Sequence, residues 1–461
     1  MQRGTTKHPA AARPLHKILG LGFGLAFAFG TMVGVGILRL PGMVAAAAGS
    51  PALIVICWCI GGLYALMGAV SVSELAAMFP EDGGFRVYAR RAYGDGAGFI
   101  VGWIDWLASV ATLAYAAVSA IEFGGTLWAP IAHYERAAAI TVLGVFTVMH
   151  CAGLRMGRTI TAVGSATIGG LLLVLIVACF LAAPPPPLGS GEVVRSQTQV
   201  FSWAALLTLV PAIRAILTAY DGWYAPIYTA EESVDTSRTL PRAMIGGALL
   251  VIALYLCINI ALLRVLPVPQ LAASKLPVAA AAQVVLPRGS ASLMTALSIL
   301  IVLSLIDSNA ITGPRVLFSM AREGWISRSA AAVSRGGTPY VALVMTSLTS
   351  AAMILTGTFN QLIALFAVLI LLYYIAAFLA VFTLRRRLPE GPRPYKAFGY
   401  PVSTFVVLTG SVAFLVAAVV ADWRSGVVAL LFLSLCVPAY AFAARFRHAR
   451  MPEPATGAGR P

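Results

Sequence analysis

The chain reads as an all-α integral membrane protein: twelve transmembrane helices, of which the first ten form two five-helix halves running in opposite directions and the last two follow as additions. Three observations predict this. Hydrophobic residues make up 59% of the 461 positions and charged residues only 11%, with a mean hydropathy of +0.88, whereas soluble domains carry roughly 25% charged residues. The apolar stretches suit helices, since about 20 residues cross a bilayer, and they lack the short alternation of an outer-membrane barrel. Two of them are interrupted by glycine at matching places, Thr31-Met-Val-Gly-Val-Gly-Ile37 and Thr218-Ala-Tyr-Asp-Gly-Trp223. A helix broken inside lipid leaves backbone N–H and C=O groups unpaired, which is tolerable only where they face a cavity or a ligand.

Taken in order, the spans begin near Lys17, Pro51, Gly98, Ala137, Thr159, Phe201, Pro241, Ser290, Tyr340, Phe359, Val402 and Ser425. Residues 1–16 form a basic tail, 17–183 the first five-helix repeat and 184–200 an external linker. That linker holds Pro184-Pro-Pro-Pro-Leu-Gly-Ser-Gly191, whose prolines cannot continue a helix. Residues 201–384 form the second, inverted repeat, 385–401 a basic loop, 402–446 the last two helices and 447–461 a second tail. No cleavable signal peptide is expected, because the first apolar run continues well beyond a signal-peptide core. With both ends inside, 24 of the 32 Lys and Arg lie on cytoplasmic segments, 6 lie outside, and Arg39 and Arg214 fall within spans. This asymmetry places both termini in the cytoplasm and the protein in the plasma or inner membrane. The net charge of +15 is then mainly topology, with weak attraction to anionic lipid, and nucleic acid is not an expected partner. Cys57, Cys59, Cys151, Cys179, Cys257 and Cys436 lie in or beside apolar segments and suggest neither a disulfide framework nor a metal site.

Gly20, Gly22, Gly24 and Gly30 read as helix-packing glycines. Gly34 and Gly36 differ, since the next turn carries Arg39 and then Pro41, as for a helix restarting beside something polar. A half-helix N-terminus presents free N–H donors and a positive dipole end to an anion, while a half-helix C-terminus offers carbonyls to a cation. Two facing breaks would therefore hold both charges of a zwitterion on backbone alone.

Ionisable residues inside a membrane are costly and are functional candidates by default. Here they are Arg39, Glu74, Asp105, Glu122, Arg214, Asp221 and Asp307. Glu74 and Arg214 lie near span ends, where snorkelling accounts for them. Asp307 with Asn309 reads as a structural polar cluster at the inner end of span eight. Arg39 and Asp221 each lie within a few residues of a break, and they are expected to pair, directly or through substrate.

Several motifs together resemble the amino acid/polyamine/organocation superfamily of permeases, particularly bacterial relatives of the L-type amino acid transporters. They are Gly34-Val-Gly-Ile-Leu-Arg-Leu-Pro-Gly42, Ser73-Glu-Leu-Ala-Ala-Met-Phe-Pro80, and Ala219-Tyr-Asp-Gly-Trp223 with Glu231 and Glu232. Further on come Gly313-Pro-Arg-Val-Leu-Phe-Ser-Met-Ala-Arg-Glu-Gly324 and Arg393-Pro-Tyr-Lys-Ala-Phe-Gly-Tyr-Pro401. The resemblance implies a leucine-transporter-like fold with discontinuous helices 1 and 6, and a secondary transporter of amino acids working by alternating access. It implies that amides around Val33, Gly34, Val35 and Gly36 hold the substrate carboxylate. Carbonyls around Thr218, Ala219 and Asp221 would hold the ammonium, Tyr220 would cover the substrate, and Gly222 would supply backbone freedom for gating. Some related permeases couple to protons through a lysine on span five; the matching stretch here has none and is apolar near Ile168, so proton coupling by that route is not expected. Ser304 and Ser308 are candidate hydroxyl donors to sodium, though such serines more often bond a backbone.

Asp221 leaves a polyamine or organic-cation permease as an alternative, and a non-transporting amino acid sensor would share these features. A major-facilitator architecture would need a long central loop, and the segment between spans six and seven is short. No ring-forming selectivity motif suggests a channel. Among the histidines only His150 lies near a span, with no evident catalytic partner, so no enzyme, cofactor or metal is expected. The choice of amino acid, the coupling ion and the oligomeric state stay open.

Overall fold

The computed structural model describes residues 19–152, 154–182, 209–286, 290–334, 337–357, 359–421 and 423–448. The helices are α1 (Leu21–Met32), α2 (Val35–Ala48), α3 (Pro51–Met78), α4 (Phe85–Tyr93), α5 (Asp95–Leu127), α6 (Glu135–Ala152) and α7 (Leu154–Leu181). There follow α8 (Val210–Ala219), α9 (Thr236–Val265), α10 (Val268–Ala273), α11 (Pro277–Val285), α12 (Ser290–Arg322), α13 (Tyr340–Thr356) and α14 (Phe359–Arg387). The last are α15 (Val402–Ala421), α16 (Trp423–Ser434) and α17 (Cys436–His448). Among the described residues, eight helices are long and apolar enough to cross a membrane, and a ninth span arises if α1 and α2, bent by 42° at their break, are counted together. The chain is a multi-pass helical membrane protein.

Local chemistry sets several boundaries. Gly49, in the left-handed region at φ 67°, ends α2. Ser50 then caps α3, its hydroxyl accepting from the Leu53 N–H at 3.4 Å, with Pro51 in the first turn where no N–H is needed. Gly83 and Gly84, at φ 130° and 65°, turn the chain into α4, a short helix between spans two and three that hydropathy alone does not reveal. Two short helices, α10 and α11, likewise lie between spans seven and eight. The twelfth expected span is divided at Leu435 into α16 and α17. The proline-rich linker at 184–191 and the start of span six near Phe201 lie outside the described residues, as do residues 1–18 and 449–461.

Burial separates centre from periphery. The apolar stretch of α5 is wholly buried, as is 78% of that of α14, against 17% for Ala129–Ala152 and 22% for α15. The centre is therefore α5 against α12 and α14, with the broken segments packed on it: α1 against α9, and α2 against α8. Small residues permit these approaches. A Cβ at Gly24 would lie 2.7 Å from the Ala243 Cβ, and one at Gly30 would lie 2.6 Å from the Ser165 hydroxyl. Gly20 and Gly22 correct the packing expectation, since a Cβ at either meets nothing within 4 Å.

The two broken segments run in opposite senses, with Gly36 against Ala219, Thr31 against Gly222 and Leu19 against Glu232. The start of the first lies beside the end of the second, where the Leu19 N–H donates to the Glu232 carbonyl at 3.0 Å and the Val234 N–H to the Leu19 carbonyl at 2.9 Å.

A candidate substrate cavity between two helix breaks

In the first break α1 stops at Met32, Val33 is extended, and α2 restarts at Val35 with no side-chain cap. The leading N–H groups of α2 thus have neither an intrahelical partner nor a capping side chain. The Tyr255 hydroxyl donates to the Met32 carbonyl at 2.7 Å, satisfying one acceptor that the break exposes. In the second break α8 stops at Ala219, residues 221–224 form turns, and Ala225–Glu232 continues as a 3-10 rather than an α-helix. Gly222 makes this turn at φ 109°, a conformation that a side chain disfavours.

The breaks fit into each other. A Cβ on Gly36 would lie 2.6 Å from the Ala219 Cα, and one on Gly222 would lie 2.9 Å from the Thr31 carbonyl carbon. Between the breaks and the core helices lies a cavity. Its wall includes Thr31, Met32, Gly34, Val35 and Gly36 from the first segment, and Thr218, Asp221, Tyr224 and Tyr228 from the second. The core contributes Ala108, Ser109, Thr112 and Tyr115 of α5, Leu305, Asn309 and Thr312 of α12, and Phe366 of α14. Among the described residues, Asp221 is the single charged residue in this wall. Its carboxylate accepts from the Tyr374 hydroxyl at 2.5 Å and the Tyr224 hydroxyl at 3.0 Å, and Tyr224 also bonds the Tyr373 hydroxyl at 2.7 Å.

Gly34, Val35, Gly36, Thr218 and Asp221 therefore line the cavity, while Val33, Ala219 and Gly222 are packed behind it. Tyr220 is a correction. Its ring packs on Trp58 and Tyr255, and its hydroxyl donates to the Trp58 carbonyl at 3.2 Å, so it faces α3 and does not cover the cavity. The expected Arg39–Asp221 pair is also corrected: Arg39 donates to Glu122 of α5 at 2.5 Å, while Asp221 is held by tyrosines. Sequence reasoning misses Tyr224, Tyr228, Ser109, Thr112, Asn309 and Thr312 as wall residues. A usable signal exists in the polar pairs Ser109/Thr112 and Asn309/Thr312, three apart on otherwise apolar helices and hence on one face.

The remaining intramembrane charges have partners of their own. Glu74 is 1% exposed and does not snorkel. It accepts from Arg385 at 2.8 and 2.5 Å, from the Arg393 Nε at 3.2 Å and from the Ala397 N–H at 2.8 Å. The expected Asp307–Asn309 cluster is split: Asp307 bonds the His150 ring at 2.8 Å, whereas Asn309 faces the cavity and donates to the Leu305 carbonyl. The side chain of Arg214 lies outside the described residues.

An ion-pair network closes the face where α1 begins. Arg315 of α12 bonds Glu232 at 2.5 Å, Arg322 bonds Glu231 at 2.9 Å, and Glu323 joins Arg86 and Arg90 of α4. In the turn before α4, the Asp82 carboxyl accepts from the Glu231 N–H at 2.9 Å, and the Asp82 N–H donates to the Glu231 carboxylate at 3.2 Å. Burial raises the Asp82 carboxyl to about 8; the Arg315 guanidinium opposes that shift, and Glu232 and Glu231 add to it. The fold favours the protonated form, so this contribution to stability is complete below the unfolded value and is lost as pH rises through about 8. Asp82→Asn is therefore expected to gain apparent melting temperature over the parent between pH 5 and 8 in detergent, the difference levelling above pH 8. A difference that stays constant with pH would refute the assignment.

The sequence model of the amino acid permease family matches residues 24–437. The chain is 26% identical over 436 residues to the serine/threonine exchanger SteT of Bacillus subtilis, covering 92% of this chain and 96% of that one. It is 26% identical over 396 residues to the human large neutral amino acids transporter small subunit 2, covering 83% of this chain and 72% of the relative. It is also 29% identical over 384 residues to an uncharacterized transporter of Mycobacterium tuberculosis, covering 80% and 81% respectively. With a matching model over nearly the whole chain and breaks that enclose a cavity inside the bundle, the protein belongs to the amino acid permease family, a membrane transporter and not an enzyme.

Proposed function

We propose that the chain is a secondary transporter of small neutral amino acids, working by alternating access with twelve spans in two inverted five-helix repeats and both termini in the cytoplasm. The observation that carries this reading is the cavity walled by the start of α2 and the end of α8, with Gly36 against Ala219 and Gly222 against Thr31. The substrate carboxylate takes the N–H groups at Val35 and Gly36, and the ammonium takes carbonyls at the end of α8 beside Asp221. The side chain then meets hydroxyls of Ser109, Thr112 and Thr312, which suits a small or hydroxylated residue. Relatives named for serine/threonine exchange and for large neutral amino acids favour the same class. The order of contacts, Leu19 beside Glu232, Thr31 beside Gly222 and Gly36 beside Ala219, runs in opposite senses along the two segments and agrees with an odd number of crossings between the breaks.

A polyamine or organic cation is the second reading, favoured by Asp221 as the one charge among the described wall residues. Purified protein screened by thermal shift against amino acids and polyamines separates these, because a ligand of the folded state raises apparent stability. Counterflow of labelled L-serine in proteoliposomes then separates a carrier from a sensor. Asp221→Asn is expected to lower L-serine counterflow at least tenfold, since a hydrogen bond to a charged group is worth about 1.5–3 kcal/mol. Stabilisation by putrescine and not by any amino acid would replace this reading with the second.

A further inference from the structure

Asp105 lies in α5, whose apolar stretch is wholly buried, and is itself 2% exposed. Its Oδ1 accepts from the Tyr228 hydroxyl at 2.6 Å, and the Phe85 backbone N–H points at the same carboxyl. Its Oδ2 has no hydrogen-bond partner among the described residues. Among the described residues, the charged and titratable groups facing it are Tyr228, Tyr224 and Asp221 from the second broken segment and Arg86 from α4. Arg86 is committed elsewhere, to Glu323 and to the Ser319 hydroxyl at 2.5 Å. An ionised carboxylate left in a dry interior with one oxygen bare is costly, and a proton on that oxygen removes the cost. Asp221 is different, since each of its oxygens already accepts a tyrosine hydroxyl.

Asp105 also connects to both the cavity and the moving part. The Ser109 hydroxyl, one turn along α5, donates to the Asp105 carbonyl at 3.1 Å and lines the cavity, as does Tyr228 itself. Tyr228 belongs to the 3-10 segment that follows the second break. It reaches Asp105 because Gly84 has no side chain: a Cβ there would lie 2.2 Å from the Tyr228 ring.

We propose that Asp105 is a proton-binding site that couples substrate movement to protons, with the Tyr228–Asp105 hydrogen bond as the latch that protonation loosens. The ionised carboxylate accepts a charge-assisted bond, roughly twice as strong as one to a neutral acceptor. With Oδ2 ionised, Tyr228 is held and the segment Ala225–Glu232 stays against α5. A proton arriving from the cavity settles on Oδ2, weakens the latch and frees the segment to swing away; it leaves when the carboxyl meets the aqueous phase on the other side. Each cycle moves one proton with one substrate, and no other reactant takes part.

The proposal rests on the transport reading above, and one experiment keeps the two apart. Labelled L-serine is followed in proteoliposomes, first as counterflow at equal pH on both sides between 5.5 and 8.5, then as net uptake under an inside-alkaline gradient. The parent is expected to accumulate L-serine by up to about tenfold per pH unit, the limit for one proton. Asp105→Asn, which fills the place of Oδ2 with an amide, is expected to retain counterflow, now independent of pH, and to lose gradient-driven accumulation. Tyr228→Phe, which removes the latch donor, is expected to lose gradient-driven accumulation, with the pH profile of the remaining counterflow displaced to higher pH because the ionised carboxyl has lost its donor; this variant decides the matter should Asp105→Asn fail to fold. Counterflow in the parent without accumulation, or a variant profile that overlays the parent's, overturns the proton site alone. Absence of counterflow in the parent overturns the transport reading and the proton site with it.

Discussion

Gly36→Leu is expected to abolish amino acid binding while leaving a protein that remains monodisperse in detergent. The Cβ alone would lie 2.6 Å from the Ala219 Cα and 3.0 Å from the Ala219 Cβ. The atoms it meets are largely backbone, which cannot rotate aside, so α2 must part from α8 and carry the N–H groups of Val35 and Gly36 out of register with the second break. Losing two bonds to a substrate carboxylate, each worth about 1.5–3 kcal/mol, corresponds to more than about a hundredfold in affinity. Gly22→Ala is the matched control, since its Cβ meets nothing within 4 Å. Isothermal titration with L-serine reads both variants. Binding retained in Gly36→Leu would place the carboxylate elsewhere in the cavity and end the two-break account of recognition.

The largest effect on stability is expected from Glu74→Gln. This carboxylate ties α3 to two arginines and to a backbone N–H more than three hundred positions along the chain, at Arg385, Arg393 and Ala397. Arg385 also lies over the Tyr400 ring at 3.7 Å, so the same guanidinium secures the turn that leads into α15. An amide keeps one acceptor but presents N–H groups to guanidinium donors and leaves their charges without a counterion in a mostly buried place. Removing one partner of a buried ion pair costs about 3–5 kcal/mol. Thermal unfolding followed by size-exclusion chromatography should show a marked drop in melting temperature that added salt does not offset. A melting temperature equal to the parent's would mean that the cluster is dispensable and that the α14–α15 loop is held by other contacts.

The sequence is most legible where the bilayer leaves the chain few choices. Helical spans follow from hydropathy because unpaired backbone is prohibitive in lipid. The starts expected at Pro51, Ser290, Tyr340, Phe359 and Val402 coincide with the helices found there. The breaks around Gly34 and Gly222 are equally visible, since glycine beside polar residues in an apolar run frees peptide groups that lipid would not tolerate unpaired. What neighbours each side chain is harder to read. Tyr220 and Tyr224 are four residues apart and would share a face on a continuous helix. The turn at Gly222 separates them, sending Tyr220 to Trp58 and Tyr224 to Asp221. The same turn is why Asp221 finds tyrosines and not Arg39.

Long-range partners are illegible for a related reason. Arg39 with Glu122, His150 with Asp307 and Glu74 with Arg385 join residues 83, 157 and 311 positions apart. A single sequence says that each buried charge needs a partner, but not which one. Its own hydropathy and glycine placement determined that this chain is a helical membrane protein with two interrupted apolar segments. Tertiary packing alone decided which polar groups face the cavity and which charges lock the faces, because a pair forms only where separate helices bring it within bonding distance.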